Sequence, residues 1–528
     1  TADDKLRKKG LLGRINKSEV LLVRFLLAAL QELNPNLPFT AYQQAVDLLS
    51  GAIADKHLAA INKEKHHYLV NGVPVSYQDD KGVLQKKQLR VINFAEPERN
   101  DFRAVRQFEV VGKLYNRRPD IVGFVNGIPL VFFELKAHHT DLRHAFDDNL
   151  TDYKDTIPEI LHCNGFIILS NGTDARVGTV TSPYKFFLEW KRINEDDEGL
   201  VSLDTLLRGT CDKARLLDLF ENFLLFDGEG DEVVKLMAKN HQYIGVNKVV
   251  DRANNLQDLK QKLGVFWHTQ GSGKSISMVC YAGKLLAQPE MNNPTIVVVT
   301  DRNDLDGQLF NTFGMAAETL KQTPVQAADR DDLREILASR QSGGIIFTTV
   351  QKFALLADET SHPILSTRHN IVVVSDEAHR SQYGDKAKLN AKTGKYTFGY
   401  SKHLRDALPE ASFIGFTGTL VIYYIFADDL PDVRVLKSFE PSTVTLMYSD
   451  QDELIAELYL EKRILVPLKK IPTQLKQAAL AVEDANFYSH MGIDLRAIFR
   501  AFLTNMKAGH IVEGGSTITQ QLSKTLFL

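Results

Sequence analysis

Gly264-Val265-Phe266-Trp267-His268-Thr269-Gln270-Gly271-Ser272-Gly273-Lys274-Ser275 starts as a short apolar run, breaks at a glycine-rich turn and leads into the helical pattern Ile276 to Leu286. Glycines at 271 and 273 let backbone N–H groups turn inward around phosphate oxygens, and the following helix N-terminus adds a favourable dipole. Lys274 supplies a point charge for β and γ phosphates, and Ser275 a hydroxyl for Mg²⁺. Gly271, Ser272, Gly273, Lys274 and Ser275 are therefore expected to hold ATP. The strict pattern wants Gly where His268 stands, so an ordinary glycine-rich turn is the competing reading for this stretch alone.

Reading outward, five short apolar runs appear: Gly264 to Trp267, Thr295 to Thr300, Ile345 to Thr349, Ile371 to Ser375 and Phe413 to Thr417. The stretches between them are long enough for crossover helices, which predicts a parallel, doubly wound α/β sheet. Asp376-Glu377-Ala378-His379 directly follows the fourth run. Ligands of such sheets bind at the carboxyl ends of strands, so these carboxylates face the same crevice as Lys274. Asp376 is expected to hold Mg²⁺ through water, and Glu377 to orient or deprotonate the attacking water.

This segment resembles superfamily 2 helicases and DNA translocases, with Gly271 to Ser275 as motif I, Asp376 to His379 as motif II and Thr417-Gly418-Thr419 as motif III. The resemblance implies a RecA-like lobe. It also gives Gln242, within His241-Gln242-Tyr243, the role of reading adenine. A purely structural role for Gln242 stands beside that one.

Upstream, Arg118-Pro119-Asp120 and Glu134-Leu135-Lys136 flank two apolar runs joined at Asn126-Gly127, a strong hairpin signal. Two carboxylates can hold Mg²⁺ against a scissile phosphate while the lysine activates or positions water. Glu134 and Lys136 share a face because the strand period is two. Register decides whether Asp120 joins them. An ideal two-residue loop pairs Asp120 with Phe133 and puts it on the wrong face; one extra residue pairs it with Glu134. A three-residue loop or a glycine bulge at Gly127 is therefore expected, and a tight turn with Asp120 facing away would rule the site out. The plain alternative is an edge hairpin ending in solvated charges.

Asp120, Glu134 and Lys136 form the side-chain set of the PD…ExK nucleases. Followed by the translocase-like lobe, that set makes Thr1 to Leu420 resemble the R subunit of type I restriction enzymes. The resemblance implies ATP- and Mg²⁺-dependent translocation and cutting of double-stranded DNA, with separate specificity and methyltransferase subunits as partners. The family's Gln-x-x-x-Tyr element falls on Asn149 and Tyr153, with Asn in place of Gln. The second ATPase lobe of the family is not found in this stretch, so ATP binding with poor hydrolysis is expected.

After Leu420 the α/β rhythm stops. Glu483-Asp-Ala-Asn-Phe-Tyr-Ser-His-Met-Gly-Ile-Asp494 and Gly514-Gly-Ser-Thr-Ile-Thr-Gln-Gln-Leu-Ser-Lys524 resemble the first two motifs of glycosyltransferase family 51, the peptidoglycan glycosyltransferase domain of class A penicillin-binding proteins. That likeness gives Glu483 the role of general base toward an acceptor sugar hydroxyl. Only part of that domain's motif set is found, so no polymerising activity is expected, and a fusion near Leu420 is the preferred explanation over one bifunctional enzyme.

The expected architecture is α/β: a PD-(D/E)xK nuclease domain with a helical N-terminal region (1–195), a helical linker (196–240), a RecA-like doubly wound parallel-sheet helicase lobe (241–420), then a mostly α fragment (421–528). Composition fits, since 528 residues exceed one core and 44% hydrophobic with 24% charged residues is ordinary for globular protein. A net charge of -3 argues against a uniformly cationic nucleic-acid binder. Cys163, Cys211 and Cys280 show no metal-ligand spacing and fit a reducing cytoplasm. Thr1 in place of Met points to a trimmed or partial N-terminus. The longest uncharged apolar stretch, Phe413 to Ala427, is short of the roughly 20 residues that span a bilayer, so no complete membrane span is expected. Two rival readings remain at this stage: a peptidoglycan glycosyltransferase, and a non-catalytic DNA- and ATP-binding module.

Overall fold

The computed structural model describes residues 11–51, 56–79, 81–254, 262–267, 273–300, 303–355 and 362–376, with shorter stretches beyond, of which 400–417 and 468–488 are the longest. The chain divides into two units, Thr1–Ile425 and Phe426–Leu528.

The first unit contains a mixed sheet and a parallel sheet. Helices Val23–Leu33, Phe39–Ser50 and Leu58–Asn71 lead to a hairpin of β1 (Val73–Gln78) and β2 (Leu84–Leu89). The mixed sheet comprises β3 (Phe102–Arg106), β6 (Ile121–Val125), β7 (Ile128–Leu135), β8 (Phe166–Ser170), β9 (Ala175–Gly178) and β10 (Leu188–Glu189), in the order β10-β9-β8-β7-β6-β3. Only β7 and β8 run parallel. A small hairpin, β4 (Val110–Val111) with β5 (Asn116–Arg117), sits between β3 and β6 in sequence.

The Asn126-Gly127 turn is a tight two-residue one, Val125 pairing with Ile128, and both turn residues are left-handed at φ 51° and 80°. The expected three-residue loop or bulge at Gly127 is therefore wrong. The extra residue lies further along, where Gly123 pairs with Val131 and Phe124 with Pro129, leaving Leu130 as a bulge. Asn164 Nδ2 and the Gly165 N–H both donate to the Leu130 carbonyl, at 3.1 and 2.7 Å. The turn has no room to expand: a Cβ on Gly127 would lie 2.5 Å from the Leu22 carbonyl.

The same turn holds the start of the first helix, since the Leu22 N–H donates to the Gly127 carbonyl and the helix begins at Val23. The strand β2 ends at Leu89. Beyond it, side-chain amides of Asn34, Asn100 and Asn126 satisfy the backbone of residues 90, 91 and 93 in place of a neighbouring strand.

The segment 196–240 is not a purely helical linker. Helices Leu203–Thr210 and Lys213–Asn222, capped by Ser202 and Asp212, are followed by a hairpin of β11 (Leu224–Asp227) and β12 (Val234–Met237). Leu217, Phe220 and Phe223 are buried in one continuous core with Leu130 and Phe166 of the mixed sheet, Met278 of the helix Lys274–Leu286 and Ile296 of the parallel sheet.

Lys235 anchors this hairpin. Its Nζ is fully buried and donates to Asn62 Oδ1 (2.9 Å) and the Asn164 carbonyl (2.5 Å), while its backbone bonds Thr179 and Thr181. Burial lowers its pKa from 10.5 to about 7, with Cys163 opposing. Between those values the unfolded chain holds a proton that the folded chain lacks, so stability rises with pH. We expect wild-type unfolding free energy to climb between pH 7 and 9 by at most about 2–3 kcal/mol from this group, and Lys235→Met to lose that climb. Equal slopes in urea titrations of the two proteins would refute the assignment. The window stops at 9 because burial pushes the thiols of Cys163, Cys211 and Cys280 upward, which reverses the sign.

All five strands expected in the second half are present. β13 (Lys262–Trp267), β14 (Thr295–Thr300), β15 (Val325–Gln326), β16 (Ile345–Thr349), β17 (Ile371–Ser375) and, after a short hairpin of β18 (Lys388–Leu389) and β19 (Tyr396–Thr397), β20 (Ser412–Thr417) are described. The parallel sheet runs β13-β20-β17-β14-β16-β15. β14, β16 and β17 are buried along their full length, as strands covered on both faces must be. In the second unit, a β-hairpin at Thr445–Tyr448 and Leu454–Leu458 and a helix Thr473–Glu483 are described. No helix among the described residues is long and apolar enough to cross a membrane.

Candidate functional sites

The Leu130 bulge sets the chemistry of the mixed sheet. Continued one residue past Ile121–Phe133, the register places Asp120 opposite Glu134, which puts the two on one face. Asp120 Oδ2 accepts from the Leu135 N–H and Oδ1 from Gln107 Nε2, both at 2.9 Å. Gln107 holds Asp120 a second time, its N–H donating to the Asp120 carbonyl at 2.8 Å from a left-handed backbone at φ 51°. Glu134 is only 3% exposed. Burial, and then the Asp120 carboxylate, push its pKa up to about 7, against the pull of Lys136 and Tyr153.

Lys136 Nζ donates to Asn149 Oδ1 (2.5 Å) and Glu134 Oε1 (3.4 Å). The Tyr153 hydroxyl donates to Glu134 Oε2 at 3.3 Å. Asn149 and Tyr153 lie on a π-helical turn, Ala145–Leu150, and the helix Thr151–Thr156 that continues it. Asp120, Glu134, Lys136, Asn149 and Tyr153 thus meet at one place. Gln107 had no signal of its own in the sequence, since only the pairing of its strand with the Asp120 segment brings it there. Two hard oxygen donors, one of them buried and held against its neighbour's charge, suit a divalent cation, which offsets that excess negative charge.

The second cluster lies at the carboxyl ends of the parallel strands. Gly273 is left-handed at φ 91°, and the helix Lys274–Leu286 begins directly after it. Lys274 Nζ pairs with Asp376 Oδ1 at 2.6 Å, so the two motifs meet as expected. Gln242 is fully buried, its Nε2 donating to the Gly273 carbonyl (2.9 Å) and its Oε1 accepting from the Lys239 N–H (2.6 Å). In this arrangement it braces Gly273: a Cβ there would lie 2.7 Å from Gln242 Nε2. Ser275 sits in the first turn of the helix. Gly271, Ser272 and Glu377 lie outside the described residues.

In the second unit the two resembled motifs touch. Gln521 Nε2 donates to Glu483 Oε2 at 3.2 Å, and the Ile518 N–H donates to Asp484 Oδ2 at 3.1 Å. Among the described residues, no group of three or more His, Cys, Asp or Glu stands in a metal-holding arrangement.

Comparison with known proteins matches three family models: the type I restriction enzyme R protein N terminus over residues 2–186, the SWI2/SNF2 ATPase over 241–465, and transglycosylase over 451–528. The type I restriction enzyme HindI endonuclease subunit of Haemophilus influenzae is 46% identical over 84% of this chain and 44% of its own length. The putative type I restriction enzyme MjaIXP endonuclease subunit of Methanocaldococcus jannaschii is 32% identical over 76% of this chain and 39% of its own. Penicillin-binding protein 1A of Aquifex aeolicus is 44% identical over 21% of this chain and 16% of its own. The chain therefore spans less than half the length of each of these relatives. Type I restriction R-subunit homologues cover most of the chain, an SNF2-type ATPase match spans residues 241–465, and a transglycosylase match covers residues 451–528.

Proposed function

We propose that residues 1–420 form the front part of a type I restriction endonuclease subunit: a PD-(D/E)xK nuclease domain, then the first RecA-like lobe of a translocase. Its substrate is double-stranded DNA, its cofactors are ATP and Mg²⁺, and its partners are the specificity and methyltransferase subunits of a cytoplasmic restriction-modification complex. What most supports this reading is the convergence of Asp120, Glu134 and Lys136, which the sheet achieves only through the Leu130 bulge.

Asp120 and Glu134 would hold Mg²⁺, which supplies a Lewis acid at the scissile phosphate when bound. Lys136, fixed by Asn149, positions or activates the attacking water, and Tyr153 orients the Glu134 carboxylate. In the ATPase lobe, Gly271, Ser272, Gly273 and Lys274 bind the phosphates. Ser275 and Asp376 hold Mg²⁺, Glu377 directs water, and Gln242 fixes the glycine turn.

The test is conversion of supercoiled plasmid by the full chain. We expect nicking that requires Mg²⁺ and stops in EDTA. The Mg²⁺ concentration needed should fall between pH 6 and 8, as Glu134 loses the proton that competes with metal. Nicking that is indifferent to EDTA, or no nicking at all, would overturn the reading.

A second reading concerns the last hundred residues. Supported by the Gln521–Glu483 contact, we propose that Glu483 occupies the general-base position of a peptidoglycan glycosyltransferase fragment joined to the restriction part near Leu420. Glycan product from a lipid-linked substrate would show the fragment to be active.

A further inference from the structure

The β4–β5 hairpin, with Phe108 and the segment leading to Asp120, forms a narrow arm rooted at the carboxylate cluster. Its rungs are Gln107 with Asp120, Phe108 with Pro119, Val110 with Arg117 and Val111 with Asn116. The arm is rigidly seated. Arg117 makes a two-point ion pair with Asp152, the residue preceding Tyr153. Val110 is buried, and the Val111 N–H donates to the Lys17 carbonyl. Gly112 leaves no space beneath it, since a Cβ there would lie 2.5 Å from the Thr156 carbonyl.

A well-seated arm has a strange tip. Leu114 is 86% exposed and Tyr115 55%, flanked by exposed Lys113 and Arg118. Two acidic groups along the arm are already matched, Glu109 by Lys17 at 2.6 Å and Asp152 by Arg117. Arg117 also lies over the Tyr115 ring at 5.0 Å, which steadies the ring outward. A rigid arm that displays adjacent apolar side chains between cations has the chemistry of a duplex-DNA contact. Cations meet phosphates, and an apolar wedge enters the minor groove and loosens a base step.

Resting on the nuclease reading above, we propose that the Lys113–Arg118 arm grips double-stranded DNA beside the cutting site. Lys113 and Arg118 contact phosphates, and Leu114 with Tyr115 press into the minor groove. From Asp120 to Tyr115 the strand covers about 15–17 Å, so the contact falls about five base pairs from the scissile phosphate at 3.4 Å per step.

The test uses the full chain and a duplex of about 30 base pairs, long enough to contain that reach, with 2-aminopurine placed at successive steps. Binding is measured by anisotropy in EDTA, where cutting is blocked. Lys113→Ala/Arg118→Ala should reduce the slope of log affinity against log salt by about 1–2, at roughly 0.9 per phosphate contact. Leu114→Ser/Tyr115→Ser should leave that slope alone, weaken binding about tenfold, and abolish the 2-aminopurine fluorescence rise seen with wild type. All four side chains are exposed, so unchanged melting temperatures are expected. An unchanged slope in the first variant, or unchanged affinity and fluorescence in the second, overturns the proposal. Asp120→Ala separates the two readings: it should stop cutting while keeping the wild-type slope, and if cutting persists the nuclease assignment falls while the binding data still judge the arm.

Discussion

Lys136→Ala is expected to slow Mg²⁺-dependent cutting of duplex DNA by on the order of 10²–10⁴-fold, the span that loss of a positioned acid–base group produces. Two effects add. The ammonium group fixed by Asn149 and Glu134 is lost, so nothing at that position orients the attacking water. Glu134 also loses a cation that pulls its pKa down, so burial and Asp120 hold it protonated to higher pH and weaken its grip on metal. The strand itself should survive, because the Lys136 N–H still donates to the Ser170 carbonyl. Lys136→Arg separates the two effects: it keeps the charge and should recover metal affinity without recovering the rate. The measurement is nicking rate over a Mg²⁺ titration for the three proteins. A Lys136→Ala rate within a few-fold of wild type at saturating metal would sink the role given to this lysine.

Lys274→Ala should weaken Mg²⁺·ATP binding by roughly 10- to 150-fold, the equivalent of losing one charged hydrogen bond of about 1.5–3 kcal/mol. Lys274 lies on Asp376 at 2.6 Å, both largely shielded from water. Bound phosphates would draw the lysine from that carboxylate, freeing Asp376 toward the metal. Alanine therefore removes a phosphate partner and leaves Asp376 without this cation. Asp376→Asn should act differently, lowering the dependence of ATP affinity on Mg²⁺ more than the affinity measured in EDTA. Titration calorimetry with ATP, with and without Mg²⁺, checks both. Equal ATP affinity in Lys274→Ala and wild type would mean that the glycine turn is not a phosphate site.

The parallel sheet was legible because runs such as Ile371 to Ser375, buried along their length, leave an unbroken apolar signal between longer crossovers. The Asn126-Gly127 turn was legible because both residues tolerate left-handed backbone. The bulge was not. β7 is paired on both sides and buried on both faces, so Ile128 to Phe133 shows no alternation that would mark one residue as extra. Its existence was demanded by the chemistry of Asp120, but its location at Leu130 depends on Asn164 and Gly165 arriving from another loop. Leu224 to Phe226 reads like the end of an apolar helix, and only pairing with β12 makes it a strand. The family resemblance pointed to Asn149 and Tyr153, whereas Gln107 carries no local pattern and is brought to Asp120 by the pairing of the neighbouring strand.

The Lys235 hairpin has a practical bearing on dissecting this polypeptide. A cut placed among residues 196 to 223 would strip β11 and β12 from the N-terminal half. Asn62 Oδ1 would lose the Lys235 donor and the Asn164 carbonyl one of its two donors, and Asn164 is the residue that clasps the Leu130 bulge. A nuclease half expressed by itself should therefore run past Met237. That limit lies well downstream of residue 195, where the domain was expected to end.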